Sequence, residues 1–157
     1  PRLPDAAIAA GVAGARWPAR LQRLARGPLV DALPPGCELW LHGGHNENGA
    51  RAIADWARGL GDGVPLDIVV ALRSTKRAEP ILAALAPVAR RIACAGNPAD
   101  HLTLPAARLA EAARAIGIEG VLEAPDVAAA LRLLEAPRRV LVCGSLYLAG
   151  AVLAENG

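Results

Sequence analysis

At 157 residues the chain has the size of one ordinary globular domain, and with 54% hydrophobic and 20% charged residues, evenly mixed, it is too apolar for disorder. The net charge is only +2, and the arginines are scattered through helical patterns without a basic stripe interleaved with aromatics, which excludes a nucleic-acid groove. The longest uncharged stretch, Val140 to Ala154, is shorter than the ~20 residues of a membrane helix and is interrupted by Gly144 and Ser145.

There is no Phe or Met, and Trp17, Trp40, Trp56 and Tyr147 are the only aromatics, so Ala, Leu, Val and Ile must fill the core. The missing Met hints at a fragment of a longer protein. No basic segment followed by an apolar one stands at the N-terminus, so no signal peptide is expected. Cys37, Cys94 and Cys143 are odd in number, lack CxxC spacing and sit in or beside apolar runs, and they read as reduced, buried thiols of a cytoplasmic protein.

In chain order, an Ala-rich helix is expected near Pro4 to Val12. Gly14 to Gly27, with Trp17, Pro18 and four arginines but no clean periodicity, reads as a connecting arm. From Glu38 on, apolar runs and helical patterns alternate. Strands are expected at Glu38–Leu41, Leu66–Leu72, Arg91–Ala95, Gly120–Glu123 and Arg139–Cys143.

Between them, helices are expected at Asn48–Leu60, Arg77–Ala86, Pro105–Ile116, Asp126–Leu134 and Ser145–Glu155, with Pro105 and Asp126 as start signals. Ala50, Ile53, Ala54, Ala57 and Leu60 make one apolar face on the first of these. Strands apolar on both faces, alternating with helices, predict an α/β fold, a Rossmann-like three-layer α/β/α sandwich with a mostly parallel sheet. The expected division is residues 1–27 as arm and start of the domain, and 28–157 as the Rossmann-like domain.

In such a sheet, ligands gather at the carboxyl ends of the strands. Three turns there carry chemistry. Leu41-His42-Gly43-Gly44-His45-Asn46-Glu47-Asn48-Gly49 lets backbone approach a ligand at the start of a helix, and reads either as an anion site or as a tight turn capped by Asn46 or Asn48. It does not match GxGxxG. Nor do His42, His45 and Cys37 make a metal set, since no further ligand completes them.

Val142-Cys143-Gly144-Ser145-Leu146-Tyr147 offers Ser145 either as a helix cap or as a holder of phosphate or carboxylate; GxSxG is absent. Leu72-Arg73-Ser74-Thr75-Lys76-Arg77 sets three cations beside two hydroxyls, for anion recognition or as a solvated loop. His101 has no partner in the sequence and is expected at the surface. No GxxxxGK[ST] occurs, so the chain has no P-loop of its own.

Taken in order, these motifs resemble the C-terminal domain of the folylpolyglutamate/dihydrofolate synthase family, relatives of the Mur peptide ligases. Ala15-Arg16-Trp17-Pro18-Ala19-Arg20-Leu21-Gln22 resembles the family's arm, A-x-W-P-G-R-x-Q; Leu41 to Asn46 resembles its D-G-A/G-H-N turn; Gly144-Ser145-Leu146-Tyr147-Leu148 resembles its G-S-L/F-Y/H-L turn. The resemblance implies an ATP-dependent ligase that activates a folate or pteroate carboxylate as an acyl phosphate, which the amine of L-glutamate attacks. ATP and Mg2+ are then cofactors of the full-length enzyme, none held firmly by this domain alone. The partner is an N-terminal P-loop domain, with no nucleic acid and no membrane.

By the same resemblance, Arg20 and Lys76 bind the nucleotide, Arg20 reaching its phosphates and Lys76 matching the lysine of G-M-L-x-D-K-D, and His45 and Ser145 serve catalysis and glutamate binding. The departures are His42 at the nucleotide-binding position where the family has Asp, Thr75 and Arg77 for the two aspartates beside Lys76, and Glu47 for a proline. The alternative is a stand-alone Rossmann-like module that binds a nucleotide or anion at Gly43-Gly44 without catalysis.

Overall fold

The computed structural model describes residues 4–14 and 17–156. Among these residues six strands and seven α-helices alternate: α1 (Asp5–Gly14), β1 (Gln22–Leu24), α2 (Pro28–Asp31), β2 (Glu38–His42), α3 (Glu47–Leu60), β3 (Leu66–Val70), α4 (Ala78–Leu85), β4 (Arg91–Ala95), α5 (Ala106–Ala115), β5 (Leu122–Ala124), α6 (Val127–Leu133), β6 (Arg139–Cys143) and α7 (Leu146–Asn156). They build one sheet in the order β1-β2-β6-β3-β4-β5. Every pairing is parallel except β1 against β2.

The three-layer sandwich follows from strands that are apolar on both faces. On one face Leu39, Leu41, Val69, Ala71, Ala93, Ala95, Val140 and Val142 pack under α2, α6 and α7. On the other, Ile68, Val70, Leu72, Ile92, Cys94, Leu141 and Cys143 pack under α3, α4 and α5. Each fully buried Leu or Ile contributes roughly 1.5–3 kcal/mol of transfer free energy. With no Phe or Met available, this aliphatic interdigitation carries the core, and Trp40 and Trp56 add one tilted ring pair at 5.0 Å.

The helices start and stop where local chemistry sets them. Asp126 accepts from the Ala129 N–H at 2.7 Å to cap α6, and α3 ends on Gly61 in the left-handed conformation, φ 59°. Two elements were not expected. β1 lies inside the segment read as an arm and adds an antiparallel edge strand to the sheet, and α2 is a single turn begun by Pro28. β5 begins two residues later than expected, because Gly120 at φ 63° is still turning.

At the amino ends of the strands the charges close on one another. Arg139, 7% exposed, reaches Glu38 at 2.6 Å and Asp62 at 2.7 Å. Arg90 forks onto the buried Asp67, and Arg91 pairs with Glu135 at 3.0 Å. All three cysteines are free; Cys94 and Cys143 are buried as expected, whereas Cys37 is only half-buried in the loop before β2. Burial pushes the Cys94 and Cys143 thiols up to about 12.

Candidate functional site

β6, the last strand, inserts between β2 and β3. The helix that follows β6 covers one face, whereas those following β2 and β3 cover the other, so the sheet has its topological switch point at the carboxyl end of β6. The three turns singled out from sequence meet there.

Glycines allow the meeting. The Gly144 N–H donates to the Gly44 carbonyl at 2.9 Å, and the Ala71 N–H to the Cys143 carbonyl at 3.1 Å, so the three strand ends are stitched by backbone. Gly144 has φ 117°, and a Cβ there would stand 2.3 Å from the Ala71 carbonyl oxygen; one on Gly43 would stand 2.4 Å from the Leu146 side chain. Neither position admits a larger residue without displacement.

The first turn is held by its own side chains. Asn46 caps α3, accepting from the Gly49 N–H at 2.8 Å, so the capping reading is correct for this residue. His42 is buried, and its Nδ1 accepts from the Gly44 N–H at 2.7 Å. An accepting Nδ1 leaves the proton on Nε2. Burial first, then the charge of Arg20, lowers its pKa, so the ring is neutral.

His45 has the opposite tautomer. Its Nδ1 lies 3.2 Å from the Gly43 carbonyl oxygen, which only accepts, so Nδ1 is the donor, and in the neutral ring the lone pair is on Nε2.

The arm is tied to this turn. The Gly43 N–H donates to the Ala19 carbonyl at 2.7 Å, and the Ala19 N–H donates to Gln22 Oε1 at 2.9 Å. These bonds hold Ala19 at φ 56°, the position where the resembling arm motif carries Gly. Such a conformation costs an alanine roughly 1–2 kcal/mol. Arg20 projects into solvent beside His42; Ala15 and Arg16 of the motif lie outside the described residues.

His45, Lys76 and Ser145 come together, with Arg73, Gly144, Leu146 and Tyr147, around a cleft of about 170 Å³. Arg20 and His42 sit outside its lining. Ser145 is buried, and its Oγ accepts from the N–H groups of Tyr147 at 3.1 Å and Leu148 at 3.5 Å, which is the capping role. Lys76 and Arg77 are exposed and form no ion pair among the described residues, as does Arg20, while His101 is at the surface as expected.

Sequence reasoning did not separate Arg73 from its neighbours. Its guanidinium lies over the Tyr147 ring, 4.3 Å from the centroid, and its Nε is 3.0 Å from Asp100 Oδ2. Asp100 lies 27 residues further along the chain in the loop after β4, so no local pattern announced the pair. A groove of about 490 Å³ between α3 and α4 is larger, but its charges are spent on each other, Arg51 with Glu47 and Arg58 with Asp55. Among the described residues no group of three or more His, Cys, Asp or Glu side chains gathers as metal ligands.

Solved structures share this fold. The chain superposes on Mycobacterium tuberculosis folylpolyglutamate synthase complexed with ADP with a TM-score of 0.75 and 26% identity, over 98% of this chain and 35% of that one. Against the bifunctional folylpolyglutamate synthase/dihydrofolate synthase of Yersinia pestis CO92 the TM-score is 0.74 at 25% identity, over 98% and 34%. A structure of the Yersinia pestis enzyme complexed with AMPPNP and Mn ion gives 0.75 at 25%, over 98% and 35%. No protein-family model matches the chain, and no curated protein matches it in sequence. The likeness to folylpolyglutamate/dihydrofolate synthases is therefore structural, and the chain spans about a third of the length of the structures it matches, as a C-terminal domain of that type would.

Proposed function

We propose that this chain is the C-terminal domain of an ATP-dependent amide ligase that joins L-glutamate to dihydropteroate or folate through an acyl phosphate, closing over sites shared with a P-loop domain of a longer protein. The observation that carries this reading is the convergence of His45, Lys76 and Ser145 on one cleft at the switch point of a fold shared with synthases solved with ADP and AMPPNP. Leu146 and Tyr147, 51% and 59% exposed at the rim, support it as apolar surface for a facing domain.

On this reading the chain supplies charge and a base. Arg20 offsets phosphate charge as the domain closes, and Lys76 stands at the cleft as a cation for the anionic reactants. The glutamate amine attacks the acyl carbon, the carbon–oxygen bond to phosphate breaks with its electrons leaving on phosphate, and the amine proton passes to the His45 Nε2 lone pair. Ser145 keeps the amino end of α7 ordered toward the anionic reactants. His42 acts through the turn: its Nδ1 offers the Gly44 N–H the acceptor that a carboxylate would offer, without the negative charge. Mg2+ accompanies ATP in such reactions; the described residues gather no ligand set for it, and no step here runs through it.

The longer protein should release ADP only when both L-glutamate and a pteroate or folate acceptor are present, and this chain alone should do neither chemistry nor tight ATP binding. Calorimetry showing micromolar ATP affinity for the chain alone would instead favour a stand-alone nucleotide-binding module. Within the longer protein, His45→Ala should lower kcat by ~10²–10⁴-fold, the usual worth of a general base.

A further inference from the structure

The cleft brings two cations, Arg73 and Lys76, together with His45 and Ser145 beside the apolar Leu146 and the Tyr147 ring, and no carboxylate is among its lining residues. Arg73 is 24% exposed, with its Nε turned to the buried Asp100 and its flat face on Tyr147. Contact with Asp100 is ionic but out of line for a hydrogen bond, since neither Arg73 Nε nor Asp100 Oδ2 has a hydrogen-bond partner among the described residues. The guanidinium is thus oriented without being saturated. Asp100 takes one side of the fork and Tyr147 one face, which leaves the terminal Nη groups, unbonded among the described residues, to the cleft.

A guanidinium held this way is preorganised for a carboxylate, which it meets with two parallel N–H donors. Stacking on an aromatic ring restrains its rotation and adds a cation–π attraction. The second cation of the lining, Lys76, stands exposed at the same cleft. The cleft, about 170 Å³, lies below the ~300–1,000 Å³ of pockets for drug-sized molecules and matches a ligand the size of an amino acid.

We infer that Arg73, fixed between Asp100 and Tyr147, is the specificity determinant for the incoming amino acid, receiving one carboxylate of a dicarboxylic amino acid while Lys76 and the amino end of α7 face the other. This rests on the ligase reading for the identity of the acceptor reaction, but the binding step is separable from it.

Nuclear magnetic resonance titration of the chain with L-glutamate, L-glutamine and inorganic phosphate tests the inference. L-glutamate should shift the Arg73, Lys76 and Tyr147 signals and bind at least tenfold more tightly than L-glutamine. Arg73→Leu should abolish that preference, Tyr147→Leu should weaken it, and Tyr147→Phe, which keeps the ring, should retain it. Because Tyr147 is exposed, its variants leave the core intact and guard against misreading an unfolded Arg73→Leu.

Phosphate competing with L-glutamate as an equal, or a glutamate preference unchanged in Arg73→Leu, would overturn the assignment. In the longer protein, Arg73→Leu should raise KM for L-glutamate at least tenfold with kcat for saturating glutamate little changed. Normal ADP release with an unaltered KM would sink the inference and leave the ligase reading standing. Arg73-dependent glutamate binding without any ligase turnover would do the reverse.

Discussion

The two ends of the sheet are built from the same residue types and use them in opposite ways. At the amino ends of the strands Arg139, Arg90 and Arg91 are matched with Glu38, Asp62, Asp67 and Glu135. At the carboxyl ends Arg20, Lys76 and Arg77 find no acidic partner among the described residues, and Arg73 is only half-matched by Asp100. One end has settled its electrostatics internally and the other leaves its cations without acidic partners among the described residues, as the proposed ligand site requires. Stability and recognition are thereby separated by the length of a strand, which predicts that charge removal is costly at one end and nearly free at the other.

The largest effect expected breaks the frame common to both. Gly144→Ala sets a Cβ against the Ala71 carbonyl at a positive φ and should cost about 3 kcal/mol or more by chemical denaturation. Next, Arg139→Ala should cost about 2–3 kcal/mol, at the low end for a broken buried pair because Glu38 and Asp62 can regain water.

Its pH signature sharpens the comparison. Arg139 holds the Glu38 carboxyl below its usual range and Asp62 down to about 2. The stabilisation is therefore present above the ordinary carboxylate pKa and lost as pH falls from about 4.5 toward 2. Arg139→Ala should flatten the thermal stability profile in that window.

At the opposite end His42 has a lowered pKa, so its contribution is complete above about 6.5, the free imidazole value, and declines as pH drops below it. His42→Asn, which keeps an acceptor for the Gly44 N–H but cannot titrate, should remove the part of the decline below about 6.5 that His42 contributes. Smallest of all, Lys76→Ala should alter stability by no more than about 0.5 kcal/mol. A loss there as large as that of Arg139→Ala would erase the distinction between the two ends.

Much of this was legible in the sequence, for physical reasons that differ by element. β2, β4 and β6 are apolar on both faces and bounded by turn residues, so their limits could be read almost to the residue. β1 is Gln-Arg-Leu, three residues whose pairing depends on β2 rather than on any periodicity of their own. Leu72 is as buried as a strand residue yet lies past the end of β3, which is why hydrophobicity alone overran the strand.

In the site, the three turns were visible because glycines and polar residues punctuate strand ends. The tautomers of His42 and His45 were not, since they depend on which backbone atom each ring meets, and neither was the contact of Arg73 with Asp100 and Tyr147, which only the folded sheet brings together.

The graded burial of the three thiols gives the molecule an internal clock. Cys37 is half-buried and should be alkylated in the native state, whereas Cys143, at the carboxyl end of β6 under the helices of one face, should react only when the sheet or those helices open. The ratio of the two labelling rates therefore measures how often the middle of the sheet opens. Slower Cys143 labelling in the presence of a ligand, with Cys37 unchanged, would report binding at the switch point as a loss of breathing rather than as a change of shape.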